Sequence, residues 1–107
     1  MRIKFYDKIQ DMECLQGDTL DTFSVEMGEN TDLTGASMML IVENQDGLVL
    51  PKACTLSGQT FSVQLTSEDT ANLTGLYQLH FCLTDADGLK YRKIVGTLHV
   101  SKAAQGV

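Results

Sequence analysis

The residues of this chain that most resemble a chemical site form an acidic turn, Asp85-Ala86-Asp87-Gly88. Calcium loops combine several carboxylates with a glycine and complete the site with a bidentate glutamate. This turn supplies at most two carboxylates, and no such glutamate follows it. Tight turns between antiparallel strands use the same Asp and Gly residues. We therefore predict a hairpin turn here and no metal site.

Histidines and cysteines are the other residues that could bind a metal or act as nucleophiles. The expected strand pairing keeps His80 and His99 several residues apart, and neither has a cysteine or aspartate at ligand spacing. Cys14, Cys54 and Cys82 contain no CxxC pair, and their odd number does not form a disulfide framework. The sequence therefore predicts three reduced thiols, no zinc site and no cofactor.

No arrangement of residues indicates catalysis. The serines form no GxSxG motif. Acidic residues that could pair, such as Asp18 with Asp21 or Glu68 with Asp69, are expected on the surface of so acidic a chain. Small sandwiches also seldom form the deep pocket that a glycosidase needs. We predict a protein that is not an enzyme and that has no catalytic residues.

The charge of the chain argues against nucleic acid as a partner. The formal net charge is −6 and the isoelectric point is near 4.6. The densest basic run is Lys90-Tyr91-Arg92-Lys93, whereas binding to a phosphate backbone needs an extended basic surface. A solvated strand edge or a local charge match explains this run better.

The length of the chain and its lack of long apolar stretches limit its organisation. A chain of 107 residues fits one domain, which we place at 1–102 with a short tail at 103–107. The first ten residues lack the apolar run of a signal peptide. No segment approaches the roughly twenty apolar residues that span a bilayer. We expect a protein made in the cytoplasm without export and without membrane contact.

Two segments about forty residues apart repeat one design. Each begins with a polar turn ending in Leu-Thr-Gly, continues as a strand of about eight residues and ends in an Asp-Gly reversal. This pattern predicts an all-β, immunoglobulin-like sandwich of seven to eight strands. The polar segment near 67–73 has capping residues and early acids, so it is expected to be one short helical crossing. We place the strands at 3–6, 11–15, 20–27, 36–43, 48–55, 60–65, 76–84 and 90–100.

Alternation of apolar and polar residues predicts the buried face of most strands. Tyr77 is expected in the core, with its hydroxyl bonded to backbone near the helical crossing. In the last strand, Ile94 and Gly96 are expected to face inward, and the missing side chain of Gly96 leaves room for Tyr77 or Leu79. The other residues predicted to face inward are Phe23, Val25, Met27, Phe61, Val63, Leu65, Phe81, Leu83, Leu98 and Val100.

The strand at 36–43 is apolar on both faces. Ala36, Met38, Leu40 and Val42 can line the core, while Met39 and Ile41 lie on the opposite face. Such a strand is either covered on both sides or presents one face to a partner. We favour the second interpretation, although the 48–55 segment or the N-terminal arm could cover these residues instead. The candidate interface residues are Met39, Ile41, His80, Cys82, Tyr91 and Val95.

A set of short motifs occurs in a characteristic order through most of the chain. They are QGDT at 16–19, LTGA at 33–36, DG at 46–47, FSVQL at 61–65, Gly-x-Tyr at 75–77, DG at 87–88 and GTLHV at 96–100. In this order of motifs the chain resembles the N-terminal domain of the phage baseplate upper protein family and related small immunoglobulin-like phage structural domains. The resemblance implies a β-sandwich that docks into a tail or baseplate assembly and carries no catalytic residues.

Two functions from different classes remain open at the level of the sequence. The leading hypothesis is a phage or prophage virion protein of the tail or baseplate type, whose partners are other virion or tail proteins and a second copy of itself. The alternative is a bacterial surface or carbohydrate-binding module of immunoglobulin-like fold, which needs export and exposed aromatic residues. Tyr6 and Tyr91 are the aromatic candidates for that role.

Overall fold

The chain folds as a sandwich of two β-sheets. The computed structural model describes residues 10–28, 32–47 and 49–102. In this part of the chain, one sheet has five strands in the order β1-β8-β7-β3-β4 and the other has three in the order β2-β6-β5. The strands are β1 (Gln10–Leu15), β2 (Phe23–Glu26), β3 (Ser37–Glu43), β4 (Val49–Ala53), β5 (Thr55–Ser57), β6 (Thr60–Val63), β7 (Gly75–Thr84) and β8 (Lys90–Ser101), with the helix α1 (Ser67–Ala71) before β7. The strand predicted at 3–6 and the tail at 103–107 lie outside the described residues.

The two repeated segments form neighbouring strands, β3 and β7, which pair antiparallel. Each is followed by a turn in which a side chain holds the backbone. Asn44 Oδ1 accepts a hydrogen bond from the amide of Asp46, and Asp85 Oδ1 accepts one from the amide of Asp87. Gly88 has a φ of +84°, in the left-handed region that glycine adopts without strain. The acidic turn therefore acts as a hairpin turn, as predicted.

The core lies between the two sheets, and most of its residues follow the predicted alternation. Because successive side chains of a strand point to opposite faces, the strands that line the core contribute mainly every second residue. Gly96 lies opposite Leu79, so the space left by its missing side chain adjoins a large residue, as expected. Residues of both sheets join the core, among them Val25, Met38, Leu40, Val42, Phe61, Val63, Leu79, Phe81, Leu83, Leu98 and Val100.

The segment predicted as a single strand at 48–55 contributes to both sheets. β4 pairs with β3 in the larger sheet, and β5 pairs with β6 in the smaller one. Cys54 lies between them, and its amide still donates to the carbonyl of Met38 at 2.9 Å. The segment therefore passes from one sheet to the other just after Cys54. The sequence does not indicate this change of sheet, because the residues before and after Cys54 are both typical of strands.

The last strand contains a bulge that reverses its alternation. Leu79 pairs with Gly96 and His80 pairs with Ile94, so Val95 is an extra residue without a partner. The prediction that Ile94 faces inward was therefore wrong, because its side chain is 44% exposed on the opposite side. The same shift places Val95 in the core. Tyr91 pairs with Leu83 and so shares the core-facing side of the sheet.

The predicted helical crossing is present as α1 and is tied to the strands around it. Thr66 caps the helix, since its side-chain oxygen accepts from the amide of Asp69. Thr70 is buried, and its hydroxyl donates to the carbonyl of Asp18 at 2.6 Å. The amide of Gly17 donates to the same hydroxyl at 3.1 Å. These bonds fix the turn after β1 against the helix.

Candidate interaction surface

The side of the five-stranded sheet that faces away from the core, here called the outer face, brings most of the candidate residues together. Residues directly opposite each other in an antiparallel pair share a face. Met39 lies opposite Cys82, and Ile41 lies opposite His80. These four candidates therefore form one group. Tyr91 and Val95 do not join it, because the bulge in β8 turns both toward the core side.

Residues that the sequence did not assign complete the outer face. On β8, the bulge places Arg92 beside Cys82 and Ile94 beside His80. On β4, Ala53 lies beside Met39 and Pro51 lies beside Ile41. The apolar part of the face thus crosses four neighbouring strands, β4, β3, β7 and β8. Only the position of the bulge shows that Ile94 belongs here, and alternation alone cannot reveal a bulge.

The outer face exposes several apolar side chains, although Cys82 and His80 in its middle are buried. Ile94 is 44% exposed, Val49 is 48% exposed and Leu76 is 61% exposed. Met39 and Ile41 are half-buried between them. β4 extends the sheet beside β3 and does not cover this face. The 48–55 segment is therefore not the cover that the sequence left open. The other, the N-terminal arm, lies outside the described residues.

His80 lies at the centre of the outer face and is almost fully buried, with 7% of its surface exposed. Its Nδ1 atom lies 3.4 Å from Oε1 of Glu43, a contact that requires the register between β3 and β7. Its Nε2 atom is buried and has no hydrogen-bond partner. A buried polar atom without a partner is rare in folded proteins and calls for an explanation. The sequence did not predict either feature.

The side chains considered for chemistry mostly support the structure. The Oδ2 atom of Asp18 accepts from the amide of Leu15 at 2.9 Å. Cys14, Cys54 and Cys82 form no disulfide in the described part of the chain. Burial raises the pKa of the Cys54 thiol to about 11, so it stays protonated and unreactive at neutral pH. Within the described ranges, no group of three His, Cys, Asp or Glu residues could hold a metal ion.

One open groove of about 270 Å³ adjoins the outer face where β3 ends. Its lining combines the polar side chains of Glu43, Gln45 and Gln78 with the apolar side chain of Leu76. Its aromatic residue is Tyr77, which belongs to the core and is 2% exposed. Among the described residues, the groove therefore has no exposed aromatic ring on which a sugar could stack, and the candidate Tyr6 lies outside them.

Comparisons with known proteins identify the fold and nothing narrower. No model of a known protein family matches the sequence, and no curated protein matches it. Among solved structures, CopC from Methylosinus trichosporium OB3b is similar over 99% of this chain and 98% of that chain, with a TM-score of 0.53 and 11% identity. The first immunoglobulin domain of the mouse polymeric immunoglobulin receptor is similar over 91% of this chain and 94% of that chain, with a TM-score of 0.50 and 13% identity.

These neighbours show that the chain is an immunoglobulin-like β-sandwich, as the sequence predicted. At such low identity the similarity concerns the architecture alone.

A separate observation concerns membranes. No helix among the residues that the structure describes is long and apolar enough to cross a bilayer.

Proposed function

We propose that this chain is a non-enzymatic structural module of a phage or prophage particle, of the tail or baseplate type. It acts through protein–protein contacts made by the outer face of its five-stranded sheet. The partner is another protein subunit of the same particle. The observation that carries the proposal is the apolar outer face that Met39, Ile41 and Ile94 share across β3 and β8.

The outer face has the features of a contact surface. Contiguous exposed apolar residues usually mark binding sites, because leaving them in water is unfavourable. Here they lie on paired strands, which hold them in fixed positions and reduce the entropy lost on binding. Exposed polar groups of the same face, such as the side chain of Gln78, could add hydrogen bonds to a partner. Protein partners commonly combine an apolar centre with a few such polar contacts.

The assignment to a virion rests on the sequence. The motifs that resemble small phage structural domains run in order from Gln16 to Val100. The four glycines of the LTGA, Gly-x-Tyr and two DG motifs all have positive φ, so each motif has a structural role. A particle built from many subunits also needs compact domains with exposed faces that bind one another.

The carbohydrate-binding alternative has less support. Sugar-binding sites rely on exposed aromatic rings beside polar side chains. The described residues of the groove next to the outer face offer polar side chains without such a ring. Tyr91 is exposed, but it lies on the core side of the sheet and away from the groove.

The proposal is tested by following the protein in particles purified from its source strain. The double variant Met39→Lys with Ile41→Lys places two charges on the outer face. Thr55→Lys with Ser57→Lys is the matched control, because it places two charges at the same spacing on an exposed strand of the other sheet. We expect the parent and the control in the particle fraction and the outer-face variant only in the soluble fraction.

Circular dichroism spectra like that of the parent must accompany this result, so that loss from particles is not loss of folding. Absence of the parent from particles would overturn the proposal. Incorporation of the outer-face variant at the level of the control would remove the outer face as the contact surface.

A further inference from the structure

The outer face carries opposite charges at its two ends. Lys90 and Arg92 of β8 lie at one end, where they pair with Thr84 and Cys82. β1 runs parallel to β8, and its Asp11 and Glu13 pair with Thr97 and His99 at the other end. Since paired residues share a face, all four charged side chains lie on the outer face. The apolar row of Ile41, His80 and Ile94 lies between the two ends.

These four charges have no ionic partner within the described chain. The ion pairs there join Lys52 to Asp69 and His80 to Glu43. Asp11, Glu13, Lys90 and Arg92 are all exposed. Asp11 is held in place, because its Oδ1 atom accepts a hydrogen bond from Thr97 Oγ1 at 2.6 Å. The face therefore presents a basic end and an acidic end that are both open to a partner.

We propose that the outer face binds a second copy of this chain about a two-fold axis. The axis crosses the strands at the row of Ile41, His80 and Ile94. This inference rests on the proposed function, since it names the subunit that the outer face contacts. A two-fold interface uses the same patch on both copies, so the patch must be complementary to itself.

The direction of the axis follows from the charges. Rotation about an axis across the strands reverses the strand direction of the second copy and exchanges the two ends of the face. Arg92 of one copy then lies over Thr97 of the other, next to Asp11 on the adjacent strand β1, and Lys90 lies over His99, next to Glu13. An axis along β7 would instead place Arg92 over Met39, because β8 and β3 flank β7. Only the first arrangement brings the opposite charges close to each other, and it places Ile41 and Ile94 over their counterparts in the second copy.

The pairing of charges also explains how so acidic a chain could bind itself. The chain has a net charge of −6, so two copies repel each other at long range. Placing two basic residues of each copy against two acidic residues of the other gives a local attraction within the interface. Because exposed charges are screened by salt, the dimer should weaken as ionic strength rises.

Charge reversal with purified protein tests this arrangement by analytical ultracentrifugation. One variant carries Lys90→Glu with Arg92→Glu, and the other carries Asp11→Lys with Glu13→Lys. Each variant alone should repel itself and raise the dimer dissociation constant by about tenfold or more. An equal mixture of the two should form a heterodimer with a dissociation constant within about threefold of the parent, because every facing pair is again of opposite sign.

Lys93→Glu is the matched control. Lys93 is an exposed residue of the same strand but pairs with Phe81 on the core side, so its reversal should leave the dimer unchanged. A parent that stays monomeric at high concentration would overturn the inference, while incorporation into particles would still support the proposed function. A parent dimer that the reversals do not weaken, or a mixture that does not recover, would also overturn this arrangement.

Discussion

Tyr77 shows how a single side chain secures the turn that enters β7. Its ring is in the core and 2% exposed. Its hydroxyl accepts from the amide of Thr74 at 2.8 Å and donates to the carbonyl of Thr74 at 3.0 Å. The sequence predicted both the burial and a backbone bond near the crossing. Both were predictable because a tyrosine on the apolar side of a strand needs a partner for its hydroxyl.

Replacing Tyr77 tests this role. Tyr77→Ala should lower the free energy of unfolding by about 3 to 5 kcal/mol, since it removes a large buried ring. Tyr77→Phe should lower it by about 1 to 2 kcal/mol, because the amide and carbonyl of Thr74 lose their partner. Chemical denaturation measures both. Tyr91→Ala is the control and should change stability little. A Tyr77→Ala variant as stable as this control would place Tyr77 outside the core.

The faces of three residues in the last strand could not be predicted, and one cause accounts for all three. Strict alternation along the last strand placed Tyr91 and Val95 on the outer face and Ile94 in the core. The extra residue at the bulge reverses the alternation on its N-terminal side. A bulge depends on the pairing with the neighbouring strand. A sequence rich in β-branched residues does not reveal where it occurs. The contact between His80 and Glu43 also depends on strand register.

The helix α1 shows how a short element is stabilised by its first turn and by a neighbouring strand. Asp69 Oδ2 accepts from the amide of Thr66 at 2.8 Å and from Lys52 Nζ of β4 at 2.5 Å. Burial by itself would raise the pKa of Asp69, but the hydrogen bonds from Lys52 and Thr66 outweigh it, so the pKa lies below its usual 3.8. The ionised carboxylate thus stabilises the fold.

The variant Asp69→Asn tests this contribution and its pH dependence. It should reduce the free energy of unfolding at neutral pH by about 1 kcal/mol, since it weakens the capping box and the contact with Lys52. Because the folded pKa is lowered, the stabilisation is present above the usual pKa of 3.8 and is lost as the pH falls through the folded value. The difference from the parent should therefore shrink below about pH 4.

Glu68→Gln is the control for this variant, because Glu68 is an exposed acid of the same turn. It should change stability little at any pH. An Asp69→Asn variant whose deficit persists unchanged at pH 2 to 3 would show that ionisation of Asp69 is not the cause.

Whole elements were more predictable than their connections. The strands near 11–15, 36–43, 76–84 and 90–100 and the helical crossing appear close to their expected places, since hydrophobic period and turn residues define them locally. The crossing of the 48–55 segment between sheets at Cys54 was not predictable. It results from long-range pairing with β3 and β6.

The whole molecule combines an apolar core between its two sheets with an outer face that is partly apolar. The fold follows from turn residues and alternation, and its immunoglobulin-like architecture was predictable for that reason. The composition of the outer face was predictable in its centre, at Met39 and Ile41, because β3 is apolar on both sides. Its charged ends depend on the bulge and on the parallel pairing of β1, which no local pattern indicates.

The neighbouring residues Met38 and Met39 allow one measurement of the central claim, that the outer face is the contact surface. Met38 is buried in the core, and Met39 is half-buried on the outer face. Hydroxyl-radical footprinting with mass spectrometry reports the oxidation of each methionine in the dilute chain and in purified particles. We predict that Met39 oxidises faster than Met38 in the dilute chain and becomes protected in particles. Oxidation of Met39 at the same rate in both states would contradict the account.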